Sequence, residues 1–249
     1  MVLISNNSFF LLYIKKPSNM TSHAPKEGCC NVVTLQEGKT IGSVQQVSDF
    51  RTYVVGDLKV GGKYIVIFTD IYGLDLVNTQ LVADQFHKHT GYTVGVPDIV
   101  NNDNYSTGEL REWFSNGHTV EFNKKLTSKF LEIFSSEYKP SYSAGIGYCF
   151  GAKYIIQNSK KGDFFDVVAI AHPSFVTEEE FEEVAITIII SSSLVDSVFT
   201  PELRMKSEKI LNKNGRQYQI DLYSGTSHGF TVRGDRSNPD IKYAAEKAL

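Results

Sequence analysis

The feature that most constrains the fold is an alternation, from Lys63 onwards, of short β-branched and aromatic runs with segments of helical spacing. Parallel strands need a crossover connection, usually a helix, so this alternation is typical of a mostly parallel sheet covered by helices. The pattern predicts strands at 64–68, 92–96, 142–146, 166–171, 185–190 and 217–223. It predicts helices at 79–89, 119–138, 152–157 and 201–211, and a last one from about residue 240. The predicted class is therefore α/β.

Two segments do not fit this alternation of strands and helices. Residues 47–55 and a Gly61-Gly62 turn predict one or two antiparallel edge strands leading into the sheet. Residues 98–117 form a polar stretch around Trp113, and we interpret them as a loop or lid rather than a core element.

Length and composition limit the kind of protein and its partners. A chain of 249 residues fits one large domain, and a net charge of -3 gives no basic surface for nucleic acid. No run approaches the roughly 20 apolar residues that cross a bilayer, so no membrane association is expected. The three cysteines cannot form a disulfide framework, which favours a reducing, cytoplasmic location. The expected partner is a small molecule, and the chain is expected to be a monomer or homodimer.

The N-terminus requires a separate interpretation. Residues 9–14 are apolar, but the basic pair Lys15-Lys16 follows them, whereas a signal peptide carries its basic residues first. A second methionine, Met20, opens a polar segment. We predict that residues 1–27 are a disordered extension, of which 1–19 can be an upstream start, and that residues 28–249 form the single domain.

One pentapeptide carries the strongest chemical signal. Cys149 lies in a Gly-x-Cys-x-Gly pattern, from Gly147 to Gly151, between a predicted strand and a predicted helix. This is the pattern of a nucleophile elbow, a turn so tight that the residues two before and two after the nucleophile must be small. It would also place the thiol at a helix N-terminus, which favours the thiolate. The alternative is that Cys149 is merely a small buried residue at a crowded turn.

An acid and a base follow in the order that an elbow nucleophile requires. Asp196 comes after the isoleucine-rich strand at 185–190, and His228 comes after the last strand. Their alternative roles are a turn residue and a structural histidine. The three positions together predict a catalytic triad of Cys149, Asp196 and His228.

Two backbone N–H groups are candidates for an oxyanion hole. In folds with a nucleophile elbow, one of these groups belongs to the residue after the nucleophile, here Phe150. The other belongs to the loop after the first long parallel strand, where we select Ile71. Asp70, next to Ile71, would place a carboxylate near the thiol, where it could compete with Cys149 for the histidine.

These segments together resemble the dienelactone hydrolase family, a branch of the α/β-hydrolases with cysteine in place of serine. The resemblance covers about residues 28–249 and rests on Cys29-Cys30, on the run from Asp70 to Leu74, on the elbow, and on His228-Gly229-Phe230. It implies an α/β-hydrolase fold and hydrolysis of a lactone or activated ester, such as a carboxymethylene-butenolide, through a thioester. It also implies that no metal or cofactor is needed.

The resemblance also suggests substrate-binding or supporting residues. These are Asp70, Tyr72, Tyr148 and Arg233. Asp70 stands where the family typically has glutamate, and Arg233 is one residue from the position of a family arginine that holds a substrate carboxylate. A second such arginine has no counterpart in residues 99–110. His172-Pro173, after the strand at 166–171, fits the family pattern and is interpreted as architectural.

Three other functions are considered. A class I amidotransferase also has an elbow cysteine, but it needs a His-x-Glu pair, and here Gly229 and Phe230 follow His228. A second alternative is a family member that has lost turnover and acts as a binding or regulatory protein. A metal or redox site at Cys29-Cys30 lacks a histidine at a zinc-ligand spacing.

Overall fold

Eight strands form one sheet in the computed structural model, which describes residues 33–248. The strands are β1 (Ser43–Val47), β2 (Phe50–Val55), β3 (Lys63–Phe68), β4 (Thr93–Pro97), β5 (Tyr142–Tyr148), β6 (Val167–Ala171), β7 (Thr187–Val195) and β8 (Tyr218–Ser227). Their spatial order is β1-β2-β4-β3-β5-β6-β7-β8. The β1–β2 and β2–β4 pairs are antiparallel and all other pairs are parallel. The predicted α/β class is therefore confirmed.

The helices lie between the strands along the chain. They are α1 (Val77–Thr90), α2 (Leu110–Ser115), α3 (Val120–Tyr138), α4 (Phe150–Gln157), α5 (Glu178–Glu183), α6 (Pro201–Lys213), α7 (Phe230–Arg233) and α8 (Pro239–Lys247). Local signals explain several ends. Thr119 and Thr200 cap α3 and α6 by accepting backbone N–H groups, and Gly91 ends α1 in the left-handed conformation.

The sheet is buried between two apolar layers. Tyr64, Val66 and Phe68 of β3 face the larger cluster, with side chains of α3 and α4, while Ile65 and Ile67 face the layer that contains α1. Because alternate residues of a strand point to opposite faces, β3 must be apolar from Tyr64 to Phe68, as its sequence is. This two-sided burial fixes the central strands and hence the loops at their carboxyl ends.

The interpretation of residues 98–117 as a loop without core contacts was wrong in part. This segment contains α2, whose Leu110 is buried, and the rings of Trp113 and Phe114 pack against Phe150. Three apolar side chains close together give this short helix a buried face despite its polar surroundings.

The two strands that precede the acid and the base extend well beyond their predicted ends. β7 continues to Val195 and β8 to Ser227, so the segments that were expected to be loops before Asp196 and His228 are strand. Both residues therefore lie immediately after strand ends, on a more rigid support than a loop would give.

Some expectations fall outside the described residues. These are the extension at 1–27 and the Cys29-Cys30 pair. Within residues 33–248, no helix is both long enough and apolar enough to cross a membrane. The same part of the chain contains no cluster of three or more His, Cys, Asp or Glu side chains placed to bind a metal ion.

Candidate active site

The turn at Cys149 has the geometry of a nucleophile elbow. β5 ends at Tyr148 and α4 begins at Phe150, so Cys149 alone makes the turn, with φ of 50° and ψ of -108°. A non-glycine residue rarely adopts positive φ, and strain of this kind is common at functional sites. Cys149 N–H donates to the carbonyl of Ala171 (3.1 Å), which ties the elbow to the end of β6.

Both glycines of the pentapeptide are required by close backbone contacts. A Cβ atom on Gly147 would lie 2.5 Å from Cα of Ala152, and one on Gly151 would lie 2.3 Å from the carbonyl oxygen of Phe68. Neither contact can be relieved by rotating a side chain. The tightness of the turn, which predicts small residues at these positions, is therefore present in the structure.

The structure brings the three predicted catalytic side chains into one hydrogen-bonded line. Nε2 of His228 lies 3.1 Å from Sγ of Cys149, and its Nδ1 lies 3.0 Å from Oδ2 of Asp196. All three residues are buried, Cys149 completely. The distances are those at which a base can accept the proton of a nucleophile and a carboxylate can orient that base.

Asp196 is held in place by its own neighbours. Its Oδ1 accepts the N–H groups of Val198 (2.8 Å) and Phe199 (3.0 Å), and its Oδ2 accepts the hydroxyl of Ser193 (3.1 Å). Held by these donors, the carboxylate fixes the imidazole of His228 in one orientation.

The electrostatics of the site favour a protonated His228. Burial lowers the pKa of this histidine, but a negative charge on Cys149 and the hydrogen bond that the histidine Nδ1–H donates to Asp196 together raise it well above its ordinary value. An imidazolium at this distance from the sulfur is placed to stabilise a negative charge on it.

Ser174 is a site residue that the sequence did not reveal. It lies in the loop after β6, is fully buried, and its Oγ is 3.2 Å from Sγ of Cys149 and 3.4 Å from Nε2 of His228. A serine is too common to single out. The usable signal was its place just after the strand next to the elbow strand, where parallel strands direct their following loops into one crevice.

The main partner of Asp70 is Arg233, whereas the sequence suggested a contact with the catalytic-triad candidate His228. Its Oδ2 lies 3.1 Å from Nε of Arg233, and both side chains are buried. Burial raises the pKa of Asp70, and the positive charge of Arg233 opposes that rise. The ring of Tyr72 lies 5.5 Å from the guanidinium of Arg233. The three residues therefore form one unit next to the proposed oxyanion loop.

Tyr148 and His172 lie on the inner side of the site. Tyr148 is buried in the apolar layer that contains α1, and its ring stacks on His172. His172 has positive φ, and its Nε2 is hydrogen-bonded to Oγ1 of Thr231 (2.5 Å). The centre of its ring lies 5.0 Å from the centre of the His228 ring. These contacts agree with an architectural role for His172.

The environment of His172 predicts how folding stability depends on pH. Burial, with the nearby charges of His228 and Arg233, holds the pKa of His172 well below its ordinary value, so the folded state keeps it neutral. The unfolded chain takes up that proton near pH 6.5, and stability is then lost as pH falls below this value, by up to about 1.4 kcal/mol per unit. The raised pKa of His228 does not contribute there, because both states are already protonated.

We therefore expect that His172→Asn has a flatter dependence of unfolding free energy on pH between 6.5 and 5 than the wild type. Urea denaturation at a series of pH values measures this slope. His89→Asn, at an exposed position of α1, is the matched control and should keep the wild-type slope. Equal slopes for the wild type and both variants would contradict the account.

A cavity of about 410 Å³ opens next to His228. His228 and Arg233 line it, together with Val195, Ser197, Phe230 and Ile241. Its walls are mainly apolar with a few polar groups, which is the character of a small-molecule site.

The fold and this constellation can now be compared with known proteins. A sequence model of the dienelactone hydrolase family matches residues 50–249. The chain belongs to the dienelactone hydrolase family. Its α/β-hydrolase fold, which the resemblance implied, is confirmed.

Similar proteins agree with this assignment. Hydrolase tropI of Talaromyces stipitatus is 32% identical over 238 residues, which is 90% of this chain and 93% of that protein. Hydrolase pyvD of Aspergillus violaceofuscus is 32% identical over 236 residues, covering 92% of this chain and 95% of the relative. Among solved structures, a dienelactone hydrolase-like promiscuous phosphotriesterase, P91, from metagenomic libraries superposes with a TM-score of 0.67 at 13% identity, over 85% of this chain and 95% of its own.

Membership of the family fixes the reaction class. This dienelactone hydrolase family member is a hydrolase of carboxylic esters or lactones, and its substrate is a small molecule. The predicted enzyme class is confirmed.

Proposed function

We propose that the enzyme hydrolyses a lactone or activated ester of the dienelactone type through a thioester on Cys149, with His228 as acid and base and Asp196 as the group that orients it. The observation that carries this proposal is the continuous line from Sγ of Cys149 through both ring nitrogens of His228 to the carboxylate of Asp196. The proposal needs no metal ion or cofactor.

In the first half-reaction the thiolate of Cys149 attacks the acyl carbon. The carbon–sulfur bond forms as the bond between the acyl carbon and the leaving oxygen breaks, and His228 gives its Nε2 proton to that oxygen. An ester releases an alcohol at this point. A lactone opens but stays attached, because its leaving oxygen belongs to the same molecule as the acyl group.

In the second half-reaction water replaces the thiolate. Neutral His228 takes a proton from water, whose oxygen attacks the thioester carbon, and the carbon–sulfur bond breaks to return the thiolate. The products are the carboxylic acid and the resting ion pair of Cys149 and His228. Both protons of the water molecule are thus accounted for, one on the acid and one on the imidazole.

The oxyanion of each tetrahedral intermediate needs donors that are already in place. We propose the backbone N–H groups of Phe150 and Ile71 for this role. Phe150 begins α4, so its N–H points out of the helix N-terminus, and the next N–H, of Gly151, is already bonded to the carbonyl of Thr69 (2.9 Å). Ile71 directly follows Asp70 in the loop after β3.

For substrate binding we propose the unit formed by Asp70, Tyr72 and Arg233. We propose that Tyr148, the residue before Cys149, supports the elbow from the apolar layer that contains α1. Arg233 both lines the cavity and pairs with Asp70. A substrate carboxylate that binds Arg233 therefore has to compete with Asp70 for it. This competition would favour two kinds of substrate. One carries an anionic group placed well enough to displace Asp70 from Arg233, and the other carries no anionic group.

Trapping of the acyl intermediate tests the proposed function. In a single-turnover reaction with a p-nitrophenyl ester, acid quenching followed by peptide mass spectrometry should show one acyl group on Cys149 that forms with nitrophenol release and disappears as the carboxylic acid accumulates. Peptides that carry Cys29 and Cys30 report non-specific acylation in the same samples.

Two results would contradict the proposal. Product formation with no acyl group at Cys149 would exclude the thioester route. An acyl group that remains on Cys149 without release of acid would instead favour the alternative of a family member that binds its ligand but does not turn it over. A panel of lactones and activated esters then defines the substrate range.

A further inference from the structure

Ser174 is in contact with both reacting side chains but has no part in the scheme above. Its Oγ, Sγ of Cys149 and Nε2 of His228 form a triangle with sides of 3.1, 3.2 and 3.4 Å. An imidazolium at His228 has one Nε2 proton, and that proton points towards the sulfur. Among residues 33–248, the other hydrogen-bonding group in contact with the sulfur is the hydroxyl of Ser174.

The loop after β6 is built to hold Ser174 in this position. Ser174 N–H donates to the carbonyl of Cys149 (2.9 Å), and Cys149 N–H donates back to Ala171 (3.1 Å), so the loop and the elbow are joined on both sides of the nucleophile. His172 and Phe175, which flank the turn, both have positive φ, at 38° and 60°. Two non-glycine residues in that region indicate a backbone that the surrounding structure fixes against its local preference.

We propose that Ser174 is a positioning residue that donates a hydrogen bond to the Cys149 thiolate and so increases the fraction of nucleophile that is ionised near neutral pH. A hydrogen bond to a charged acceptor is stronger than one to a neutral group, so this contact favours the thiolate over the thiol. The proposal rests on the proposed function, because it assigns Ser174 a role in the same nucleophile. Ser174 acts through Cys149 and does not itself bond to the substrate.

The role of Ser174 changes along the reaction. In the ion pair its hydroxyl and the imidazolium both donate to sulfur. Once the sulfur is acylated it is a weak acceptor, and the hydroxyl is released from it. When water cleaves the thioester, the returning thiolate regains both donors, which stabilises the leaving group of the second step. No bond to Ser174 forms or breaks other than this hydrogen bond.

Several other titratable or charged groups face the thiol or its base, and a substitution of Ser174 removes none of them. They are His228 after β8, Asp196 after β7, His172 after β6, Asp70 after β3 and Arg233 of α7. On α4, Lys153 is engaged with Glu180 (2.7 Å) and with the carbonyl of Phe175 (2.6 Å). A change in thiol ionisation on loss of the hydroxyl can therefore be assigned to Ser174.

The test is the pH dependence of Cys149 alkylation in Ser174→Ala. Iodoacetamide reacts with the thiolate, so its rate at Cys149, followed by peptide mass spectrometry, reports ionisation whether or not the enzyme turns over. We expect the midpoint of the rate profile to move up by about one pH unit relative to wild type. Ester kcat/KM should fall about tenfold at pH values below the midpoint and return towards the wild-type value above it.

Ser207→Ala is the matched control. Ser207 is also fully buried and bonds only a helix carbonyl, that of Leu203 (2.8 Å), so its variant should keep the wild-type profile. If Ser174→Ala does not fold, as judged by its thermal transition, Ser174→Gly removes the same hydroxyl and takes its place in the experiment.

The outcomes separate this inference from the proposed function. A wild-type midpoint in Ser174→Ala, or a rate lowered by the same factor at every pH, overturns the role of Ser174 even if the thioester forms. A shifted alkylation profile in a protein that hydrolyses no ester supports the role of Ser174 and counts only against the proposed turnover.

Discussion

Replacement of Cys149 by alanine should lower kcat/KM for ester hydrolysis by about four orders of magnitude or more. In the proposed scheme the sulfur of Cys149 forms the covalent bond to the acyl carbon, and the hydroxyl of Ser174, although 3.4 Å from Nε2 of His228, does not stand on the elbow. Removal of one sulfur atom from a buried site leaves the backbone of the elbow unchanged. The measurement is steady-state kinetics on the best ester of the panel, with the thermal transition recorded for each protein.

The control for this experiment is again Ser207→Ala, which removes one buried polar atom within α6 that bonds the carbonyl of Leu203. It should retain activity, and both variants should unfold within a few degrees of the wild type. Hydrolysis by Cys149→Ala at a rate within tenfold of the wild type would exclude Cys149 as the nucleophile. The oxyanion donors and His228 alone would then have to account for catalysis.

Substitution of Gly151 by alanine should prevent stable folding or reduce the free energy of unfolding by about 3 kcal/mol or more. The new Cβ would lie 2.3 Å from the oxygen and 2.4 Å from the carbon of the Phe68 carbonyl, and 2.6 Å from the oxygen of Thr69. All three atoms are backbone at the end of β3, in the buried centre of the sheet. Relief of the clash would move either β3 or the start of α4, and Gly151 N–H would lose its bond to Thr69.

Gly95 provides a matched comparison within the same sheet. It lies in buried β4, but a Cβ there would meet only the methyl group of Thr52, at an ordinary 3.8 Å. Gly95→Ala should therefore change the unfolding free energy by less than about 1 kcal/mol, as measured by urea denaturation. If the two alanine variants are equally stable, close packing of β3 on the elbow is not what requires glycine at position 151.

Sequence reasoning was effective where a local pattern determines the structure. The strands of the sheet were predicted because two-sided burial forces a continuous apolar run, and Cys149 was found because its turn excludes side chains on both sides. Asp196 and His228 followed from chain order, since the carboxyl ends of parallel strands share one edge. The hydrogen bonds that join them to Cys149 form because the ends of β5, β7 and β8 bring the three residues together.

The features that sequence reasoning missed depend on contacts between distant segments. The partner of Asp70 is Arg233, and no local pattern pairs two residues so far apart in the chain. Ser174 becomes notable only when the loop after β6 is seen bonded to the elbow. The buried face of α2 depends on Phe150, a residue of another helix, so a window over residues 98–117 alone looked like a loop.

The aromatic rings of the 98–117 segment have a consequence for how such an enzyme can diversify. Edge-to-face contacts run from Tyr72 through Tyr105 and Trp113 to Phe150, so that both proposed oxyanion segments touch this one segment. Changes within residues 98–117 can therefore alter the space next to the proposed oxyanion donors, while the strand ends keep Cys149, His228 and Asp196 in place. New substrate preferences can thus arise in this segment without changes to the triad.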